Sequence, residues 1–165
     1  MDKLPKRAEI DKKYAWHLED IYSSLEKWEQ DFSFSQKSME KLSNFSGKIS
    51  TSAQILLDCL KQNNETSLIV EKLYVYASMR FHEDSTNATY QKLSSRAETL
   101  LIQYSAVASF IVPEILAIPE QTLSEFRKQK DFSVYAHFLD NILRQKEHTL
   151  SVEQEALLAQ VGELG

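Results

Sequence analysis

The chain is 165 residues long, 42% hydrophobic and 26% charged, with a formal net charge of −5. That length suits one domain burying roughly two-thirds of its unfolded surface, and the composition is that of a globular chain, not a disordered one. Acids and bases are interspersed, which argues against nucleic acid as the main partner, and three glycines with three prolines are too few for a β-rich chain.

Residues 1–13 are polar, locally basic from Lys3 to Lys13, and read as a solvated arm. Tyr14 to Tyr22 is a dense aromatic cluster in which Trp16, Leu18 and Ile21 are expected to anchor the arm to the body. Ser23-Ser24-Leu25-Glu26 has the form of a capping box, with Ser23 accepting from the backbone three residues on and Glu26 reaching back. The helix it opens should run to about Phe45, with Leu25, Trp28, Phe32, Met39, Leu42 and Phe45 on its apolar face and Gly47 ending it in a left-handed cap. Ser50-Thr51-Ser52 caps the next helix, which buries Ile55, Leu56, Cys59 and Leu60 and is expected to break at Asn63-Asn64.

Two apolar stretches follow, Ser67 to Phe81 and Tyr90 to Ile115, joined by the polar corner His82 to Asn87. Ile69, Leu73, Tyr76 and Arg80 form one stripe and Val70, Tyr74, Ala77 and Phe81 the next; Tyr90, Leu93, Ala97, Leu100, Tyr104, Val107 and Ile111 recur at steps of three and four. This is helical periodicity with one wide buried face. The short link makes the two helices antiparallel neighbours, with Leu73, Ala77, Leu93, Ala97 and Leu100 in the core. Asn87 suits the N-cap of the second helix, and Pro113 should end or kink it near Val112.

Pro119 is read as the first residue of a short helix reaching Lys130. Phe132 to Arg144 is a further amphipathic helix, with Phe132, Tyr135, Phe138, Leu139 and Ile142 on one side. Ser151 caps a last helix from Val152 to about Val161. The reading is therefore all-α: a compact bundle of about six or seven helices around a central antiparallel pair. Residues 1–22 are the arm and its anchor, and residues 23–165 form one helical lobe.

Chemistry is sparse. Cys59 is the only cysteine and sits in an apolar run, which excludes a disulfide framework and a cysteine-built zinc site. His82-Glu83-Asp84-Ser85-Thr86 begins like a His-Glu-x-x-His zinc helix and fails at the fifth position; the four histidines, at 17, 82, 137 and 148, include no pair four apart. There is no glycine-rich phosphate loop and no Gly-x-Ser-x-Gly elbow. No catalytic, cofactor-binding or metal-binding residue is assigned. The N-terminus does not have the form of a secretory signal, and no stretch is read as reaching the roughly 18 apolar residues of a membrane span, so the expected location is cytoplasmic. Arg144 to Ser151 is an unusual polar cluster, readable as a solvated turn or as a network pinning the domain against another.

That cluster carries a resemblance. Arg144-Gln145-Lys146-Glu147-His148-Thr149-Leu150-Ser151 is similar to the Arg-x-Lys-x-His-x-Leu-Ser segment of oligoendopeptidase F-type zinc peptidases, in the thimet oligopeptidase superfamily. Tyr14-Ala15-Trp16-His17-Leu18-Glu19-Asp20-Ile21 resembles the same family's opening, with His17 where an acidic residue is common. Leu73 to Ser78 followed by Asp84-Ser85-Thr86-Asn87 resembles its central helix pair, with Ala88 in place of a frequent proline. Phe110 to Leu116 and Glu153 to Ala159 also fit, so the resemblance spans nearly the whole chain.

The resemblance implies the N-terminal lobe of a cytoplasmic zinc-dependent oligoendopeptidase that cleaves internal bonds of short peptides. In that family the zinc ligands lie in a downstream catalytic domain, so no ligand is carried over to this chain. The lobe would shape the substrate channel and be inactive alone. The implied partners are an oligopeptide substrate and the downstream domain, with no nucleic acid and no membrane. A free-standing helical interaction module is the alternative, and an exposed apolar area where the catalytic domain would pack is a further expectation.

Overall fold

The structure, a computed structural model, describes residues 9–14 and 16–146. Among these residues there are six α-helices, several short 3-10 turns and no strand. The helices are α1 (Leu25–Ser43), α2 (Ala53–Glu83), α3 (Ala88–Ala108), α4 (Ile111–Ala117), α5 (Glu120–Arg127) and α6 (Ala136–Lys146). The expected helix after Ser151 lies outside the described residues, as does most of the Arg144–Ser151 cluster.

The fold hangs on α2. At 31 residues it is roughly 46 Å long, enough to serve two cores in succession. Its first half places Ala53, Leu56, Leu57, Cys59 and Leu60 among Leu42, Ile49, Ile111, Ile115, Ile118, Leu123, Phe132 and Leu139. Its second half places Val70, Leu73, Tyr76 and Ala77 against Leu18, Tyr22, Trp28, Met39, Leu93, Ala97 and Leu100. The α2–α3 pair is the most extensive contact in the molecule, and α1 lies across both helices. The expected central pair and its five core residues are thus present, all buried.

Asn63-Asn64 does not break α2, contrary to the sequence reading. Asparagine disfavours helix interiors because its amide competes for local backbone partners. Here both amides are engaged across the fold: Tyr104 Oη donates to Asn63 Oδ1 (2.9 Å) and Asn64 Nδ2 donates to Tyr135 Oη (3.4 Å). The buried Ser38 and Thr66 are closed the same way, with their hydroxyls 2.8 Å apart and the half-buried Gln62 Nε2 donating to both.

Other boundaries also shift. The cap of α1 is Ser24, whose Oγ accepts from Lys27 N at 3.4 Å; this puts lysine and not glutamate three residues on, so the cap is one-sided and the expected Ser23–Glu26 box is not formed. Ser24 is extended (φ −159°, ψ 161°), two residues after Tyr22, which is buried and bonded to Asp31. Leu25 is then left exposed, and α1 ends at Ser43; Gly47 does take a positive φ of 75°, but in the turn beyond it. Ile55 is half-buried and Leu57 takes its place in the core. α3 stops at Ala108, not at Val112, because Pro113 lies in the first turn of α4, where a backbone N–H has no helical partner to lose. Pro119 caps α5 from outside the helix instead of opening it. A 3-10 stretch, Lys130–Tyr135, precedes α6, and Phe138 is exposed. The aromatic anchor is Leu18 and Tyr22, with Trp16 left 52% exposed.

Candidate functional site

The corner between α2 and α3 collects the densest polar chemistry. Asn87 Oδ1 accepts from Thr89 N (2.9 Å) and Tyr90 N (3.3 Å), capping α3 as expected. Asp84 Oδ1 accepts from the Thr86 hydroxyl (2.7 Å) and amide, and these bonds hold its carboxyl below the ordinary range. One turn earlier Arg80 lies between Glu83 (3.1 Å) and Glu19 (2.8 Å), with its Nε donating to Tyr76 Oη (3.2 Å). Its guanidinium is 5.2 Å from the Tyr76 ring centroid. Arg80 therefore ties the turn at Leu18–Asp20 to α2, and its hydrogen bond holds the Glu19 carboxyl low.

Beside this corner is an open cleft of about 440 Å³, lined by Glu19, Asp20, Tyr22, Lys27, Asp31 and Lys72 among others. Tyr22 Oη donates to Asp31 Oδ2 at 2.7 Å, and burial together with that carboxylate pushes the phenol far above its usual range. Lys72 Nζ sits 4.3 Å from the Tyr22 ring and 3.9 Å from Asp31. A phenol held this firmly in its protonated form is a hydrogen-bond donor, not a general base near neutrality. A smaller cleft of about 180 Å³ lies between α1 and α3, where Arg96 makes a forked ion pair with Glu29 (2.5 and 2.8 Å) over the Trp28 and Phe32 rings.

The residues weighed from sequence are dispersed. His17 Nδ1 pairs with Asp20 (2.8 Å) across the 3-10 turn Leu18–Asp20. His82 is exposed at the end of α2, against Phe81, and Glu83 beside it is taken by Arg80. His137 bonds Asn141 one turn on in α6, and His148 lies outside the described residues. Cys59 is fully buried and its thiol is pushed up to about 12, first by burial and then by the Glu114 carboxylate. Among the described residues no three His, Cys, Asp or Glu side chains are placed to hold a metal; the donor set does not fit a catalytic zinc. Sequence reasoning missed the Arg80 and Arg96 clusters. Their partners, Glu19 and Glu29, lie more than sixty residues away in the chain, beyond the reach of any local pattern.

A family profile described as Oligopeptidase F matches residues 114–165. Oligopeptidase PepF of Bacillus subtilis is 35% identical over 164 residues, covering 99% of this chain and 24% of that protein. Group B oligopeptidase PepB of Streptococcus agalactiae is 34% identical over 159 residues, 96% of this chain and 26% of that protein. Among solved structures, oligoendopeptidase-F from Enterococcus faecium superposes with a TM-score of 0.70 at 27% identity, over 84% of this chain and 27% of that one. A crystal structure from Chlamydophila abortus, at 19% identity, superposes with a TM-score of 0.78 over 96% of this chain and shows the same fold. The chain spans about a quarter of the length of the relatives it matches.

Proposed function

We propose, starting from the chain's membership of the oligopeptidase F family through its N-terminal region, that it is the helical lobe of a cytoplasmic zinc-dependent endopeptidase acting on short peptides. The lobe confines and shapes the substrate channel. The bond-breaking chemistry belongs to the three-quarters of the family's length that this chain does not span. The observation that carries this reading is the extent of the match, since 35% identity runs across 99% of the chain but only 24% of the relative.

The side chains support the same division of labour. Activating a water for peptide hydrolysis takes a metal or a base and an orienting partner within hydrogen-bond reach. Three arginines instead join elements of the lobe: Arg80 of α2 to Glu19 in the Leu18–Asp20 turn, Arg96 of α3 to Glu29 of α1, and Arg127 of α5 to Asp140 of α6 (2.6 Å). Zinc would be held by residues outside the described ones, and no step is assigned to a residue of this lobe. The mixed-charge cleft beside Tyr22 offers a place to orient a peptide's carboxyl end through Lys72 and Lys27.

Calorimetric titration of the chain with zinc tests the reading. Binding weaker than about micromolar is expected, because carboxylates alone are weak and unselective zinc ligands. Stoichiometric binding at micromolar or tighter affinity would overturn the assignment of the chemistry elsewhere. A free-standing helical module would likewise bind no zinc, but grafting the chain into a relative, as described below, would not yield a working enzyme.

A further inference from the structure

Between its two cores the molecule turns polar. From Lys61 to Leu68, Thr66 is the only buried residue of α2. At this level Ser38 of α1 meets Gln62 and Thr66 through hydrogen bonds, both 2.8 Å, and Tyr104 of α3 meets Asn63 at 2.9 Å. Among the described residues, Tyr104 and Val107 are the partly buried apolar side chains packed against both cores. The same stretch is the weakest part of α2 as a helix. Gln62-Asn63-Asn64-Glu65-Thr66-Ser67 holds two asparagines and two hydroxyl residues. Thr66 Oγ1 donates back to Gln62 O (2.7 Å) and Ser67 Oγ to Asn64 O (3.1 Å). Such side-chain bonds compete with the backbone ladder and let a helix bend.

Each side of this waist is tied within itself. In the rear half Trp28 Nε1 donates to Leu73 O, and Arg96 and Arg80 pair with Glu29 and Glu19. In the front half Arg127 pairs with Asp140, Lys61 with Asp131 (3.7 Å), and Gly47 N donates to Glu114 Oε1 (2.6 Å). The halves differ in how far their helices can stand alone. α1 and α3 have 19 and 21 residues, whereas α4, α5 and α6 have 7, 8 and 11. Helices under about 12–15 residues are marginal without tertiary packing, so the front ones depend on Leu56, Leu57 and Leu60. The stretch that joins the halves, Ala88–Ala117, has an 18-residue window of mean hydropathy 1.7, long and apolar enough by composition to cross a membrane, which corrects the sequence expectation that none would be. It is divided at Ser109-Phe110: α3 gives Leu93, Ala97 and Leu100 to the rear core, and α4 gives Ile111 and Ile115 to the front one.

We propose that the polar waist is the boundary between two units that open separately. The front unit, α4 to α6 with α2 up to Leu60, comes apart and re-forms while α1, α3 and the rear of α2 stay folded, and α2 parts at Gln62–Ser67. A hydrogen bond broken at the waist is exchanged for one to water, whereas an apolar side chain drawn out of a core has no such exchange. An opening that stops at the waist therefore leaves the rear core closed. The lobe has a fixed frame and a releasable half, and this division needs no assumption about peptide cleavage.

Native-state hydrogen exchange of the 165-residue chain, read by mass spectrometry of its peptides, tests it. Amides at 57–61 and 140–144 are expected to share one opening and to exchange about tenfold or more faster, relative to their intrinsic rates, than those at 70–77 and 93–100. Within α2 the step should fall at 62–67. Two variants sharpen the result. Tyr76→Phe removes a rear-unit hydroxyl that accepts from Arg80 Nε; it should speed the rear set about fivefold and leave the front set unchanged, because the rear stays folded when the front opens. Ile142→Val, in the front core, should speed both sets alike, because complete unfolding includes opening of the front unit. Equal protection of the two sets, a step elsewhere in α2, or a front set better protected than the rear would overturn the division. Equal acceleration of both sets by Tyr76→Phe would overturn it too, since the chain would then open as one unit.

Discussion

Trp28 is the side chain whose loss the fold should feel most sharply. It is fully buried, stacks on Phe32 with ring centroids 5.1 Å apart, lies under the Arg96 guanidinium at 5.1 Å and donates from Nε1 to Leu73 O at 3.1 Å. It thus joins α1 to α2 and α3 at one point. Trp28→Phe removes the five-membered half of the indole, worth about two CH2 groups at about 0.8 kcal/mol each. It also removes one buried hydrogen bond, about 1 kcal/mol. Partial relaxation of the neighbours offsets some of this, so the expected loss is about 2–3 kcal/mol. Urea unfolding followed by circular dichroism reads it as a fall in midpoint of about 1–2 M, taking a slope of about 1.5–2 kcal/mol per M for a chain of this size. Trp16→Phe is the control: that ring is half-exposed and should change stability by no more than about 0.5 kcal/mol. A loss under about 0.5 kcal/mol for Trp28→Phe, or equal losses for the two tryptophans, would refute the placement of Trp28 at the three-helix junction.

Asn63→Ala and Tyr104→Phe, alone and together, should show a coupling of about 0.5–1.5 kcal/mol for the hydrogen bond that lets α2 run through its asparagine pair; a coupling near zero would mean that the helix is continuous for another reason. Gly47→Ala should cost about 1–2 kcal/mol in thermal unfolding because its φ is +75°, although an added Cβ would meet nothing within 4 Å. Arg96 holds the Glu29 carboxyl below its ordinary 4.5 through their hydrogen bond. A carboxyl lowered in the folded state contributes stability above the unfolded value and loses it as pH falls through the folded one. Denaturation midpoints should therefore decline below about pH 4.5, and Arg96→Gln should flatten that acid limb while costing under about 1 kcal/mol at neutrality, the pair being half-exposed.

The helical class, the central pair and the N-caps at Ser52 and Asn87 were legible because each rests on short-range chemistry: period, a polar corner, a side-chain oxygen over a first turn. The errors fall where distant partners decide. Asn63 and Asn64 read locally as a break, and Tyr104 and Tyr135 make them helix residues. Trp16 reads as an anchor by residue type, but Tyr22 takes that role through Asp31. Pro113 reads locally as the end of a helix, and the structure sets it in the first turn of the next one, α4, where a proline is equally tolerated. The polar corner was visible as a composition; the Arg80 bridge that gives it structure joins residues 61 apart and has no sequence signature.

The central claim, that this chain supplies shape to a peptidase whose chemistry lies elsewhere, is tested most directly by peptide turnover. The isolated chain and its graft into the Bacillus subtilis oligopeptidase are incubated side by side with a quenched fluorescent oligopeptide, with and without a chelator. The account predicts no cleavage by the chain alone, cleavage by the graft, and loss of that cleavage when the metal is withdrawn. Chelator-sensitive cleavage by the chain alone would contradict it.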